Sequence, residues 1–285
     1  MAKIAILGCG YVGSALAQVL QKEGHQVRGL VRSEESVQRL QAQGIVGGAL
    51  DLVSGDYPLN ENFDAVVFAA SSGGGGLEAY RAIYETAVGR AVRWAEQQGV
   101  TKFIFTSSTS VYPQDDGQVV DEESATGGTE YAQILLAGER QVRESKLPLR
   151  AVLRLGGLYG PGRNYLAEQL KRGECTIGGR VDHFINYLHQ QDAVSALRLL
   201  LKSERRGSFL YNVTDGHPVT KMEMARHVAQ RLGIAEIHFE TEGKAGPRAQ
   251  KQGRAAVNRQ VLGTKFRRDF GWTPIFPSFF EGFSP

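Results

Sequence analysis

The stretch Lys3-Ile4-Ala5-Ile6-Leu7-Gly8-Cys9-Gly10-Tyr11-Val12-Gly13 decides how this chain folds. Its first five residues are a short apolar run ending at glycine, as in a strand buried on both faces of a parallel sheet. From Tyr11 to Glu23 the apolar Val12, Leu16, Val19 and Leu20 recur at helical spacing, and Gly24 stops the helix. A strand, a Gly-x-Gly-x-x-Gly turn and a helix in immediate succession form the context that gives this motif its meaning. Each glycine has its own task. Gly8 allows the tight turn, Gly10 lets backbone approach a pyrophosphate, and Gly13 lets helix and strand pack closely. The N–H groups at the helix start, around Tyr11 and Val12, and the positive helix end then face the phosphates of a dinucleotide.

The kind of dinucleotide is read at the end of the next strand, Gln26 to Val31. NAD binders place an acidic residue there to accept from the ribose 2′-OH. This chain has Val31-Arg32-Ser33, with no carboxylate before Glu34. Arg32 suits a 2′-phosphate, which a guanidinium grips with two bonds, and Ser33 adds a hydroxyl. The expectation is NADP, with NAD as the alternative. A surface arginine at a helix start is the structural alternative for Arg32. The missing acid also argues against an S-adenosylmethionine methyltransferase.

Outward from this turn, strand and helix patterns alternate. Ser33 caps a helix; Ile45 to Gly48 and Ala65 to Ala70 read as strands. Tyr80 to Gln98 reads as a helix, Lys102 to Thr106 as a strand, Tyr131 to Ser145 as a helix, and Leu149 to Leu155 as a strand. The fold class is α/β: a Rossmann-type, doubly wound, mostly parallel sheet with a smaller C-terminal substrate lobe. Four successive glycines, Gly73 to Gly76, follow a strand end, where ligands sit in open sheets of this kind. Beyond Leu155, Asp192 to Leu201 and Val219 to Leu232 read as helices, Phe209 to Val213 as a strand, and Gly243 to Arg254 as a polar loop. The expected division is a nucleotide-binding body over residues 1–163, to which 181–205 return. A substrate lobe then takes 164–180 and 206–285.

Composition narrows the function classes. The 285 residues are 42% hydrophobic, ample for a large core. Lys and Arg number 33 against 30 Asp and Glu, and they are dispersed, which excludes a typical nucleic-acid binder. The densest basic group, between Lys244 and Arg268, reads as a solvated surface, with neutralisation of an anionic substrate as the alternative. No apolar run approaches the ~18 residues of a membrane span. A strand pattern begins almost at Met1, which leaves no room for a signal peptide. Two cysteines, Cys9 and Cys175, make no disulfide framework, so a reducing cytoplasm is expected. The six histidines form neither an HExxH motif nor a Cys/His cluster, and no metal site is expected.

Taken together, the motifs resemble the extended short-chain dehydrogenase/reductases, specifically the NAD-dependent epimerase/dehydratase group. Beyond the glycine turn the resemblance rests on Ala69-Ala70-Ser71, which family members pass beneath the cofactor. It rests also on Thr106-Ser107-Ser108-Thr109-Ser110-Val111-Tyr112, on Arg154-Leu155-Gly156-Gly157-Leu158-Tyr159-Gly160-Pro161-Gly162, on Leu188-His189-Gln190-Gln191-Asp192, and on Phe270-Gly271-Trp272-Thr273-Pro274. It implies cofactor contacts from Ala69, Ala70, Ser71, Leu155 and Gly156. Asp51 corresponds to an adenine-contacting aspartate in one alignment, while another places Ala49 there. It implies His189 as a joint between lobes, a nucleotide sugar as substrate, and a homodimer through helices that include the Tyr131 element. Arg163, after Gly-Pro-Gly, faces an anionic substrate in one reading and is a plain surface arginine in the other.

The family's catalytic hydroxyl maps onto Ser108, its tyrosine onto Tyr131, and the motif tail onto Gly138-Glu139. The lysine four residues after the tyrosine is Leu135. A tyrosine serves as a general base near neutrality only if its pKa falls well below its usual value of about 10. The family's lysine supplies charge for that shift and holds the nicotinamide ribose; leucine supplies neither. The resemblance is therefore to atypical members that keep the fold and lose part of the triad. Two functions follow. One is an NADP-dependent oxidoreductase or epimerase/dehydratase-like enzyme acting on a nucleotide sugar or other polar carbonyl compound. The other is a non-catalytic NADP(H)-binding sensor or regulatory protein.

Overall fold

The structure is a computed structural model that describes residues 1–58, 61–240 and 257–285. The Gly243 to Arg254 segment expected to be a loop lies outside the described residues. The chain opens with β1 (Lys3–Leu7), α1 (Tyr11–Lys22), β2 (Gln26–Val31), α2 (Glu34–Ala42), β3 (Val46–Ala49) and β4 (Ala65–Phe68). Next come α3 (Gly76–Arg81), a π-helical turn (Ala82–Ala87), α4 (Val88–Gln97) and β5 (Lys102–Ser108). After β6 (Val119–Val120) follow α5 (Glu130–Glu144), β7 (Leu149–Leu155), β8 (Gly157–Tyr159), α6 (Tyr165–Lys171), β9 (Thr176–Gly178), β10 (Phe184–Ile185) and β11 (Tyr187–His189). The remainder is α7 (Gln190–Lys202), β12 (Gly207–Val213), β13 (Val219–Thr220), α8 (Lys221–Arg231), β14 (His238–Glu240), β15 (Gln260–Val261), α9 (Thr264–Phe270) and α10 (Phe279–Gly282).

Seven strands make the central sheet in the order β12-β7-β5-β4-β1-β2-β3. β1 runs parallel to both β2 and β4, with Leu7 opposite Leu30 on one side and Phe68 on the other. Side chains of β1 and β4 from Ile4 to Leu7 and Ala65 to Phe68 are all buried, which is why these runs are apolar without alternation. The strand order reverses between β1 and β4. That is the topological switch point, and the glycine turn after β1 and Ala69-Ala70-Ser71 after β4 both lie at its carboxyl edge.

Two compact units share the chain. The first comprises residues 1–111, 127–154 and 193–211, and contains nearly all of the central sheet; the second comprises 112–126, 155–192 and 212–285. Among the described residues, the second unit holds four small two-stranded sheets and a core in which Tyr159, Leu170, Val228 and Phe279 are buried together.

The strand expected over Ala65 to Ala70 ends at Phe68, the one expected from Phe209 begins at Gly207, and two helix starts differ for a reason of packing. The helix expected from Val219 begins at Lys221, because Val219–Thr220 pair with Phe184–Ile185 as a strand. Thr220 then caps the helix, and Glu223 completes a capping box. The helix expected from Tyr80 begins at Gly76: glycine weakens a helix locally, but burial of Tyr80 supports that first turn.

Candidate dinucleotide site and catalytic face

Around the glycine turn the structure separates fold from function. Gly8 has φ +81°, a left-handed conformation, and a Cβ there would overlap Ala70 Cα. A Cβ on Gly13 would lie 2.9 Å from Ile6 Cγ2, so this glycine serves helix–strand packing. Gly10 is different. It is exposed, its φ is −93°, and a Cβ there would meet nothing nearer than Gly8 O at 4.0 Å. No neighbouring atom requires a glycine at this point, and its backbone, with ψ −137°, lies outside the α and β regions. Gly10 is also the N-cap of α1 and makes no side-chain cap, which leaves the N-terminal N–H groups of a twelve-residue helix to outside partners. An absent side chain at a bare helix start, at the switch point, is the cradle a pyrophosphate requires. The residues present fit a dinucleotide.

Beside this turn, Arg32 and Ser33 are exposed. The Ser33 hydroxyl caps α2 by accepting from Ser36 N at 3.3 Å, and its Oγ shares a hydrogen bond with Ser36 Oγ at 3.0 Å. Asp51 accepts from Val53 N at 2.8 Å; that bond, with help from Ser54 and the Arg32 charge, holds its carboxyl below the usual range. Ala69 N donates to Leu7 O at 2.8 Å, and Ser71 is exposed just beyond. Tyr11 is half-buried and Val12 buried, as first residues of α1. Cys9, between the glycines, is buried, and desolvation pushes its thiol up to about 12.

The catalytic candidates lie at the end of β5 and the start of α5, which pack together. Ser108 Oγ accepts from Ser110 N at 3.1 Å, a local turn bond that orients the hydroxyl and leaves its proton available. Tyr131 sits in the first turn of α5, which Thr129 caps through Ala132 N at 3.1 Å. Its ring is half-buried and edge-to-face with Tyr80 at 5.0 Å. Leu135, one turn on, is 1% exposed.

Sequence reasoning missed the groups that hold this face. Glu139 is 2% exposed; it accepts from Ser107 Oγ at 2.6 Å and from Arg154 Nε and Nη2 at 3.0 and 2.7 Å. The fork thus ties α5 to the ends of β5 and β7. Glu139 and Arg154 were visible only as motif tails; that they meet was not. Tyr80 and Tyr84 carried no signal beyond helical spacing.

In the second unit, Leu155 is buried and Gly156 N donates to Val213 O at 3.0 Å. A Cβ on Gly156 would lie 2.6 Å from Asn186 O, so close backbone approach explains that glycine. Arg163 is exposed, in the turn closed by its N–H to Gly160 O. His189 is buried against Tyr159 and Phe276. Glu122 is half-buried and accepts from Asn212 N at 2.7 Å, and desolvation raises its pKa. Among the described residues, no group of three His, Cys, Asp or Glu side chains is arranged to hold a metal, and no helix is long and apolar enough to cross a membrane.

This geometry defines a Rossmann-type dinucleotide fold, and the chain belongs to the NAD dependent epimerase/dehydratase family, whose model matches residues 4–214. Protein YeeZ of Escherichia coli strain K12 is 29% identical over 255 residues, 86% of this chain and 89% of that protein. Two solved structures share the fold. A functionally unknown conserved protein from Silicibacter pomeroyi DSS has a TM-score of 0.83 at 22% identity, covering 99% of this chain and 96% of its own. The UDP-glucuronic acid 4-epimerase from Bacillus cereus, in complex with NAD, has a TM-score of 0.81 at 18% identity, covering 98% and 95%.

Proposed function

We propose that this chain is an NADP-dependent oxidoreductase or epimerase/dehydratase-like enzyme, with an atypical active site, acting on a nucleotide sugar or another polar carbonyl compound. The observation that carries cofactor binding is Gly10, an exposed glycine that no neighbouring atom crowds, at the start of a helix that its own side chains leave uncapped. Arg32 carries the choice of NADP: it stands exposed where NAD binders hold an acid, with the Ser33 hydroxyl beside it. Gly8, Gly10, Gly13 and the backbone of Tyr11 and Val12 would hold the pyrophosphate. Asp51 would meet the adenine, and Ala69, Ala70, Ser71, Leu155 and Gly156 would line the cofactor's path. A nicotinamide held there would supply hydride transfer to or from a carbon of the substrate.

The chain's own part is proton handling. Ser108 Oγ donates a hydrogen bond to the substrate oxygen, and Tyr131 Oη gives or takes the proton there. Substrate recognition is assigned to residues 164–180 and 206–285, with Arg163 toward an anionic group. The body, 1–163 with 181–205, keeps the cofactor. A homodimer through α5 and a reducing cytoplasm complete the reading; Cys9 and Cys175 are both free thiols.

A second reading, a non-catalytic NADP(H) sensor, is favoured by Leu135. Leucine has no ionisable group and is fully enclosed here, so the position supplies neither charge nor a polar contact to Tyr131. Thermal stabilisation by NADP, NADPH, NAD and NADH at matched concentrations tests the cofactor, since stabilisation grows with the logarithm of ligand excess over Kd. Arg32→Ala should weaken NADP by about tenfold to a hundredfold, the loss of charge-assisted bonds, and leave NAD unchanged. Equal binding of NADP and NAD before and after the change would refute the NADP assignment. Turnover on a panel of carbonyl compounds and nucleotide sugars then separates enzyme from sensor. A sensor should show no turnover and unequal affinity for NADP and NADPH.

A further inference from the structure

We infer that Tyr80 is a positioning residue for Tyr131: a π-helical turn clamped to α5 holds its ring edge-on to the Tyr131 ring and sets that ring's orientation. The inference rests on the proposed role of Tyr131 in proton transfer.

Between α3 and α4 the helix widens into the π turn Ala82–Ala87. Such turns insert one extra residue, rotate the flanking faces against each other, and recur at functional sites. Here the turn is fastened to α5 at three levels. At Gly138, a Cβ would overlap Tyr84 O, so the helix backbones touch there. Gln141 Nε2 donates to Glu85 O at 3.0 Å, serving a carbonyl of the widened turn. Arg81 joins Glu85 at 2.8 Å to Glu130 at 3.0 Å, in the first turn of α5 and next to Tyr131.

What this clamp delivers is a row of rings. Tyr84 lies 6.5 Å from Phe105 of β5, Tyr80 packs on Tyr84 at 4.4 Å, and Tyr80 meets Tyr131 at 5.0 Å and 76°. Tyr80 is 8% exposed, so its ring has a fixed place. A proton donor must come within about 2.6–3.2 Å of its acceptor, and a misplacement of about 1 Å can lower a rate roughly a hundredfold. The family's lysine would restrain the tyrosine by charge; Leu135 offers only apolar packing. Edge-to-face packing on Tyr80 supplies an orientation that charge does not.

The test uses the full chain with tyrosines labelled with carbon-13 in the ring, the Tyr131 signal being identified by its loss in Tyr131→Phe. Tyr80→Phe keeps the ring, and Tyr80→Leu removes it. We expect the Tyr131 signal of Tyr80→Leu to lose its ring-current displacement and its response to added NADP, while Tyr80→Phe retains both. NADP affinity should stay within about twofold in both variants, because the pyrophosphate turn is untouched. With any substrate turned over, kcat should fall about tenfold or more in Tyr80→Leu, recover in Tyr80→Phe, and leave KM steady. An unmoved Tyr131 signal in Tyr80→Leu, or equal loss in Tyr80→Phe, overturns the positioning role. A wild-type Tyr131 signal that ignores bound NADP overturns the role proposed for Tyr131 itself, and the positioning role with it.

Discussion

Replacing Glu139 by glutamine tests the buried charge pair behind Ser107 and the candidate catalytic face. Glu139 and Arg154 are 2% and 3% exposed, and the carboxylate accepts from Ser107 and from two nitrogens of the guanidinium. Glutamine keeps the shape, offers one acceptor oxygen in place of two, and turns an NH₂ group toward donors. Arg154 keeps its full charge in a place with little water. Hydrogen bonds to a charged group contribute about 1.5–3 kcal/mol each. Removing one partner of a buried pair costs about 3–5 kcal/mol. Because glutamine preserves part of the contact, a loss of about 3 kcal/mol is expected, more than a hundredfold in the folding equilibrium. For a chain of this size, that lowers Tm by roughly 6–12 °C.

Urea unfolding at pH 7, followed by near-ultraviolet circular dichroism, should show a lower midpoint at unchanged slope. The decisive variant is the double change Glu139→Leu with Arg154→Met, which removes both charges and keeps most of the volume. It should recover to within about 1–2 kcal/mol of the parent, the remainder being the acceptor lost to Ser107. A loss below about 1 kcal/mol for the glutamine variant would refute the reasoning, as would a double variant no better than the summed single changes.

Other expectations are independent of that pair. Gly10→Ala should weaken NADP at least about tenfold and lower Tm less than Gly8→Ala, whose Cβ overlaps Ala70; thermal melts with and without NADP read both. Asp215 is 1% exposed, and burial raises its pKa from 3.8 to about 7. The folded state therefore holds a proton that the unfolded state releases, so stability falls as pH rises from about 4 to 7, by up to about 4 kcal/mol. Asp215→Asn should remove that slope and be the more stable form at pH 8; parallel slopes in urea melts across pH 5–8 would contradict it. Cys9, buried and pushed up to about 12, should resist thiol reagents in the native protein, while half-buried Cys175 reacts. A count of two reactive thiols without denaturant would show that the glycine turn opens.

Much of the fold could be read directly because its strands are apolar runs between breakers. β1, β2 and β7 fall where expected to the residue, and Ser33 caps α2 as its type and place require. Burial on both faces leaves a strand little freedom of composition, so the pattern is strong. Where a tertiary partner decides, the reading slipped. Val219–Thr220 look like helix by spacing, yet a neighbouring strand claims them before the helix begins. The π turn has no local signature, and its contacts are with a distant element, α5, at Gly138 and Gln141.

For the candidate site, sequence alone determined the chemistry of each position: three glycines, an arginine where an acid would choose NAD, a serine and a tyrosine, and a leucine where a lysine would stand. Residue type sets donor, acceptor and charge, and those need no coordinates. Tertiary structure alone decided which glycine no neighbouring atom crowds, that Leu135 is fully enclosed, that Glu139 pairs with Arg154 while holding Ser107, and that the Tyr80 ring packs on Tyr131. These are contacts between residues far apart in the chain. Packing and desolvation, which no local pattern encodes, give them their strength.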